Sequence, residues 1–240
     1  MSVRHRLFSV VFLVIVSACA LDGDQGGISI SSMTYDFNAE LYGWQHGFSG
    51  YPVTPDDSAL YEFKHAYTNR PSGLTEGKAI MLSANNKTED LFMFLKKKVT
   101  GLRAEADYTL TFTVEFASDA RADNASAGGP TGENVFLKVG ATEAEPKSVV
   151  ENGRYVMNIN KGSQNGSGSA MINIGNIAAP PSTTGYVLVT RSNATAYNVP
   201  FEVRTNGDGE LWLIVGTDSS YRGVTTLYYT KINVVFSAKE

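Results

Sequence analysis

The chain has 240 residues and a formal net charge of −4, and its 42 % hydrophobic content is enough for one large all-β domain or two small ones. Its Lys and Arg are scattered, which argues against a nucleic-acid partner, because a phosphate backbone rewards clustered positive charge. A single cysteine excludes any intramolecular disulfide, so core packing alone must hold the fold.

Arg4 and Arg6 form a short basic stretch, followed by an apolar run from Leu7 to Val16 interrupted only by Ser9. That run has the length of a secretory signal and is too short for a permanent membrane span. It ends in Val16-Ser17-Ala18-Cys19, which resembles the lipobox of bacterial lipoproteins, where small residues precede a cysteine that is acylated after cleavage. The expectation is a signal peptide over residues 1–18, a lipidated Cys19 with a Gly- and Asp-rich tether to Gly27, and a folded domain over 28–240. The alternatives are an ordinary signal peptide with an incidental cysteine, or a buried N-terminal strand. Cleavage removes Arg4 and Arg6, so the formal charge moves from −4 to −6, with 18 basic against 24 acidic residues. In a lipoprotein of a bacterium with two membranes, Asp after the cysteine favours inner-membrane retention. Ala20 stands there, so the expected location is the cell envelope at the outer membrane.

The body reads as strands separated by turns. In chain order these are Leu60–Thr68, Lys78–Ala84, Asp107–Phe116, Asn134–Gly140, Tyr186–Arg191, Phe201–Thr205, Glu210–Gly216 and Thr225–Phe236. In the third, Tyr108, Leu110, Phe112, Val114 and Phe116 alternate with Thr109, Thr111, Thr113 and Glu115, so one face meets a core and the other meets solvent or ligand. Thr88 to Val99 has partly helical spacing, but it leads directly into that strand and is read as a strand. Asn206-Gly207-Asp208-Gly209 is predicted to be a hairpin turn. Ser118–Gly132 and Asn160–Ser169 are long, polar, glycine-rich loops. Many short strands with Gly, Asn and Pro turns predict a single antiparallel β-sandwich domain.

Val99-Thr100-Gly101-Leu102 followed by Ala106-Asp107-Tyr108-Thr109-Leu110-Thr111-Phe112 resembles a strand pair of jelly-roll carbohydrate-binding modules. Gly209–Gly216 and Leu227–Val234 resemble the last two strands of that fold, and Met33–Asn38 followed by Gly43-Trp44 resembles its beginning. The whole body also resembles a group of bacterial lipoproteins of unassigned activity. The resemblance implies a galactose-binding-like jelly roll and a glycan ligand. Such modules often carry a last-strand Asp that helps hold a structural calcium ion. Here Thr230 and Lys231 stand in its place, a lysine would repel the ion, and no cofactor is expected.

The polar-aromatic segment Tyr42–Tyr51 is read as a loop after the first strand. Loop aromatics stack on the apolar face of a pyranose while polar neighbours bond its hydroxyls. Trp44, His46, Tyr51, Tyr61, His65, Tyr67, Arg70, Asn85 and Glu115 are the candidate ligand-binding residues. The competing reading has Trp44 and Phe48 closing one end of the sandwich core while Tyr51 packs on Pro52. Two histidines alone make a poor metal site, since zinc takes three or four ligands. No nucleophile elbow or phosphate-binding loop occurs. Glu62 and Glu115 would be the acid and base of a polysaccharide-cleaving enzyme if they faced one another, and a structural or adhesive envelope protein is a third reading. The expectation is a non-enzymatic, membrane-tethered glycan binder.

Overall fold

Residues 29–53, 57–122, 125–126, 129–196 and 200–239 are described by a computed structural model; Cys19, the signal segment and the tether lie outside them. The strands in chain order are β1 (Ile30–Asp36), β2 (Gln45–Ser49), β3 (Tyr51–Pro52), β4 (Lys64–Asn69), β5 (Lys78–Asn86), β6 (Leu91–Val99), β7 (Asp107–Ser118), β8 (Ala125–Ser126) and β9 (Gly129–Pro130). They continue with β10 (Val135–Thr142), β11 (Ser148–Glu151), β12 (Arg154–Met157), β13 (Met171–Asn176), β14 (Val187–Ser192), β15 (Phe201–Arg204), β16 (Leu211–Ser219) and β17 (Gly223–Ala238). Two short helices, α1 (Asp57–Tyr61) and α2 (Asn193–Ala196), interrupt them.

The alternation in β7 drives the architecture. Tyr108, Leu110, Phe112, Val114 and Phe116 are all buried, while Thr109, Thr111, Thr113 and Glu115 are half-exposed on the other face. β7 lies in a first sheet ordered β14-β7-β17-β5-β4, with β1 continuing along β17 and β15 along β7. A second sheet runs β13-β10-β16-β6-β2. The chain passes from β5 to β6, β6 to β7, β7 to β10, β13 to β14, β15 to β16 and β16 to β17, and changes sheet at each of these steps. Its first and last strands lie side by side, from Ile30 opposite Ser237 to Asp36 opposite Lys231. This is the jelly-roll path, and the fold is an all-β antiparallel sandwich.

One core joins the inner faces, with Phe112, Phe116, Ile232, Val234 and Phe236 meeting Leu137, Val139, Leu211, Leu213 and Val215. Each fully buried side chain of this size contributes about 1.5–3 kcal/mol relative to exposure, which is how the domain stands without a disulfide. A smaller cluster sits on the outer face of the second sheet. There Phe92, Phe94, Ile214 and Met171 are covered by Met157 at the end of β12 and Ile159 just after it.

Several expectations are corrected. Leu60 and Tyr61 belong to α1, and the strand begins only at Lys64, because Glu62 turns the chain with a positive φ of 51°. The segment read as an aromatic loop contains β2, which pairs with β6 from Gln45 opposite Lys96 to Ser49 opposite Phe92. Its polar sequence hides a strand because Gly47 leaves room for the Phe94 ring; a Cβ there would lie 2.3 Å from Phe94 Cζ. Asn206–Gly209 is a turn but not a hairpin, since β15 pairs with β7 while β16 pairs with β10 and β6. Asn206 Oδ1 accepts from the amides of Asp208 (3.0 Å) and Glu210 (2.8 Å), and Gly209 takes φ +68° against the Leu102 carbonyl. β11 and β12 form an unanticipated hairpin around Asn152-Gly153, both at positive φ. That dipeptide between Val149-Val150 and Tyr155-Val156 is the hairpin signal that could have revealed it. Thr88–Val99 does supply strand β6.

Candidate functional site

β2 and β4 are terminal strands of the two sheets, and their ring side chains meet across the gap between them. His46 stacks on His65 with centroids 3.4 Å apart, and Phe48 stacks on Phe63 at 4.4 Å. Tyr51 packs against Phe63 at 4.9 Å, Tyr61 at 5.4 Å and Tyr155 at 4.7 Å. This ladder closes one side of the sandwich and divides the candidate residues. Trp44, 3 % exposed, meets Tyr35 and Phe37 edge-on and belongs to the core, as does Tyr61 at 1 %. Neither offers a free ring face for a sugar, which corrects the expectation that they stack on ligand. Tyr51 is half-buried, whereas His46, His65 and Tyr67 are exposed.

Tyr67 is the pivot. Its hydroxyl donates to the Phe37 carbonyl at 2.8 Å, which fixes the ring beside the turn after β1, and it stays 40 % exposed. On one side a narrow cleft of about 70 Å³ is lined by Leu41, Trp44, His46, His65 and Tyr67. The Trp44 indole N–H has no hydrogen-bond partner among the described residues. On the other side, where β4 ends, an open pocket of about 460 Å³ is lined chiefly by Asn38, Asn69, Arg70, Ser72, Glu76 and Lys78. The structure therefore brings His46, His65, Tyr67 and Arg70 to one edge of the sandwich.

Arg70 is held from several directions. Its backbone N–H donates to the Gly77 carbonyl at 2.8 Å, and its Nε reaches the Lys78 carbonyl at 3.4 Å. The Lys78 amide donates to Asn38 Oδ1 at 3.1 Å, tying the β4–β5 turn to the end of β1. Gly77 permits this approach, since a Cβ there would lie 2.7 Å from Asn38 Oδ1 and 3.1 Å from Arg70 Nε. Asn38, Asn69, Ser72, Glu76 and Lys78 were not among the sequence candidates. They lie at strand ends and in the turns beside them, and only the pairing of β4 with β5 and of β1 with β17 assembles them.

Burial and the facing His65 push His46 below the ordinary histidine value. Tyr67 is raised, first by burial and then by Glu40, Tyr42 and Asp36. Among the described residues no group of three or more His, Cys, Asp or Glu side chains is placed to hold a metal ion. In the last strand Thr230 donates to Glu115 Oε1 at 2.7 Å, and Lys231 Nζ lies 3.4 Å from Asp36 Oδ2.

Asn85 and Glu115 sit elsewhere, on the outer face of the first sheet. Asn85 donates to Glu62 Oε1 at 2.8 Å. Asn85 pairs with Val224 and Glu115 with Lys231, on opposite sides of β17 and seven residues apart along it, so Glu62 and Glu115 are separated by roughly 20 Å. Two glycosidase carboxylates stand about 5–9.5 Å apart, so this pair cannot act as acid and base across one bond.

No protein-family model and no curated protein matches the sequence. Solved structures similar in outline include many carbohydrate-binding modules. A module described for specific mannan recognition, TmCBM27, aligns with 15 % identity and TM-score 0.38, covering 89 % of this chain and 99 % of that one. The family 11 carbohydrate-binding module of Lic26A-Cel5E from Clostridium thermocellum aligns with 12 % identity and TM-score 0.38, covering 86 % and 95 %. The enzymatically active domain of bacteriophage CBA120 tailspike protein 4 aligns with 10 % identity and TM-score 0.35, over 85 % of this chain but only 20 % of that one. At such identities and TM-scores, no ligand and no residue role passes from these proteins to this chain.

Proposed function

We propose that this protein is a non-catalytic glycan-binding domain of the bacterial cell envelope, held to a membrane, the outer one where two are present, by an acyl chain on Cys19. The observation that supports binding is the juxtaposition along β4. The half-exposed Tyr67 lines the narrow cleft and stands two residues before Asn69, where β4 enters a larger pocket rich in amide, hydroxyl and charged side chains. An apolar ring face next to converging donors and acceptors is the chemistry a pyranose needs, and the pocket volume lies in the range of small-ligand sites. The wide separation of Glu62 from Glu115 supports binding over cleavage. Support for the anchor comes from the basic start, the apolar run and the Val16-Ser17-Ala18-Cys19 sequence, and Ala20 supports the outer membrane.

The test is a glycan array probed with the full chain in detergent, repeated with Tyr67→Ala. The expected result is binding to at least one glycan class, weakened roughly three- to tenfold in the variant with its circular dichroism unchanged. A folded protein that binds no glycan removes the reading. The anchor is tested by labelled palmitate, whose incorporation is expected to vanish in Cys19→Ser and whose persistence there would exclude it.

A further inference from the structure

We infer that the pocket at the end of β4 takes an acidic glycan, with Arg70 receiving the carboxylate of a uronic-acid residue. The inference deepens the proposed function and rests on this pocket being the glycan site. Its ground is the charge left uncompensated in the pocket. The lining carries two cations, Arg70 and Lys78, against one carboxylate, Glu76, within a chain whose net charge is −4. Among the described residues neither Arg70 nor Lys78 forms an ion pair, whereas other cations do: Lys96 with Glu145, Arg154 with Asp90 and Lys231 with Asp36.

Arg70 is also half-buried and preset. Its amide and Nε are engaged by the Gly77 and Lys78 carbonyls, which leaves the two terminal nitrogens of the guanidinium for a ligand. A guanidinium only donates, and its fork matches the two oxygens of a carboxylate, which a single sugar hydroxyl cannot do. The asparagines and Ser72 supply mixed donors and acceptors for hydroxyls, and Tyr67 supplies the apolar face. At the Tyr67 end the nearby charge left unpaired among the described residues is negative, since Glu40 acts on its hydroxyl while Asp36 is met by Lys231. A carboxylate is therefore favoured at Arg70, away from Tyr67.

The experiment measures binding of the full chain to a polyuronate oligosaccharide and to the same oligosaccharide with its carboxyls reduced to alcohols. Both are titrated against wild type and Arg70→Gln. The expected result is a preference of about tenfold or more for the polyuronate, shrinking as salt screens the charges and abolished in Arg70→Gln, whose affinities for the two forms become equal. Equal affinity of wild type for the two forms overturns the inference while leaving glycan binding standing. So does a preference that survives in Arg70→Gln. Failure to bind either probe or any glycan on the array overturns both readings together, so the two failures are distinguishable.

Discussion

At the scale of single residues, the stacked imidazoles of His46 and His65 carry a built-in pH dependence. Their rings face each other across the seam between the sheets at 3.4 Å, and burial together with His65 lowers the His46 pKa below 6.5. A histidine whose pKa is lower in the folded than in the unfolded state takes up its proton more readily when unfolded. Its contribution to stability is therefore complete above about pH 6.5 and is lost as pH falls from there through the lowered folded value. Thermal melting midpoints are expected to drop between pH 7 and pH 5 and to drop less in His46→Gln. The same decline in the variant would show that other groups set it.

At the scale of elements, the chain between β12 and β13 covers the outer face of the second sheet and is pinned there by a buried charge cluster. Lys138 on β10 is fully buried and lies 3.0 Å from Asp218 on β16, which Lys161 also meets at 2.6 Å. The Lys138 ammonium donates as well to the Lys161 carbonyl, at 2.9 Å, and to the Ser163 carbonyl, so one side chain fastens the glycine-rich loop to the sheet. Burial pulls the Lys138 pKa down and Asp218 opposes that pull. Removing Lys138 leaves Asp218 with Lys161 alone and two carbonyls without their donor, at a cost of about 1–3 kcal/mol. Lys138→Met is expected to lower the urea midpoint accordingly. A midpoint unchanged from wild type would mean that apolar packing by Met157 and Ile159 alone holds the loop. Asn160–Ser169 was legible in the sequence as a long loop, but its partner was not. Lys138 looks like an outward-facing residue in an alternating strand until the loop closes over it.

At the scale of the whole molecule, the sandwich brings residues distant in sequence onto one rim. Asn38 follows β1, Arg70 follows β4 and Lys78 opens β5, and they meet because β1 and β5 both lie along β17, with β4 beside β5. The proposed pocket, with the cleft next to it, thus follows from the order of strands in the first sheet. His46 joins it from the second sheet, across the seam. Asn85 and Glu115 were grouped with these residues on side-chain chemistry, but β5 and β7 carry them to the outer face of the first sheet.

The sequence by itself determined the strand chemistry. Period-two alternation in β7 and the many short strands separated by Gly-, Asn- and Pro-rich turns dictate an all-β antiparallel body, because those signals act between near neighbours and survive in a one-dimensional reading. Strict alternation told which residues of β7 face inward. Only the tertiary structure decided which strands pair, that Trp44 and Tyr61 serve the core, and that Tyr67 and Arg70 remain for a ligand. Burial of an aromatic ring depends on what another sheet lays against it. The sequence around Trp44 is equally suited to a stacking loop or a core plug, and Tyr35 and Phe37 packing against its ring make it the second.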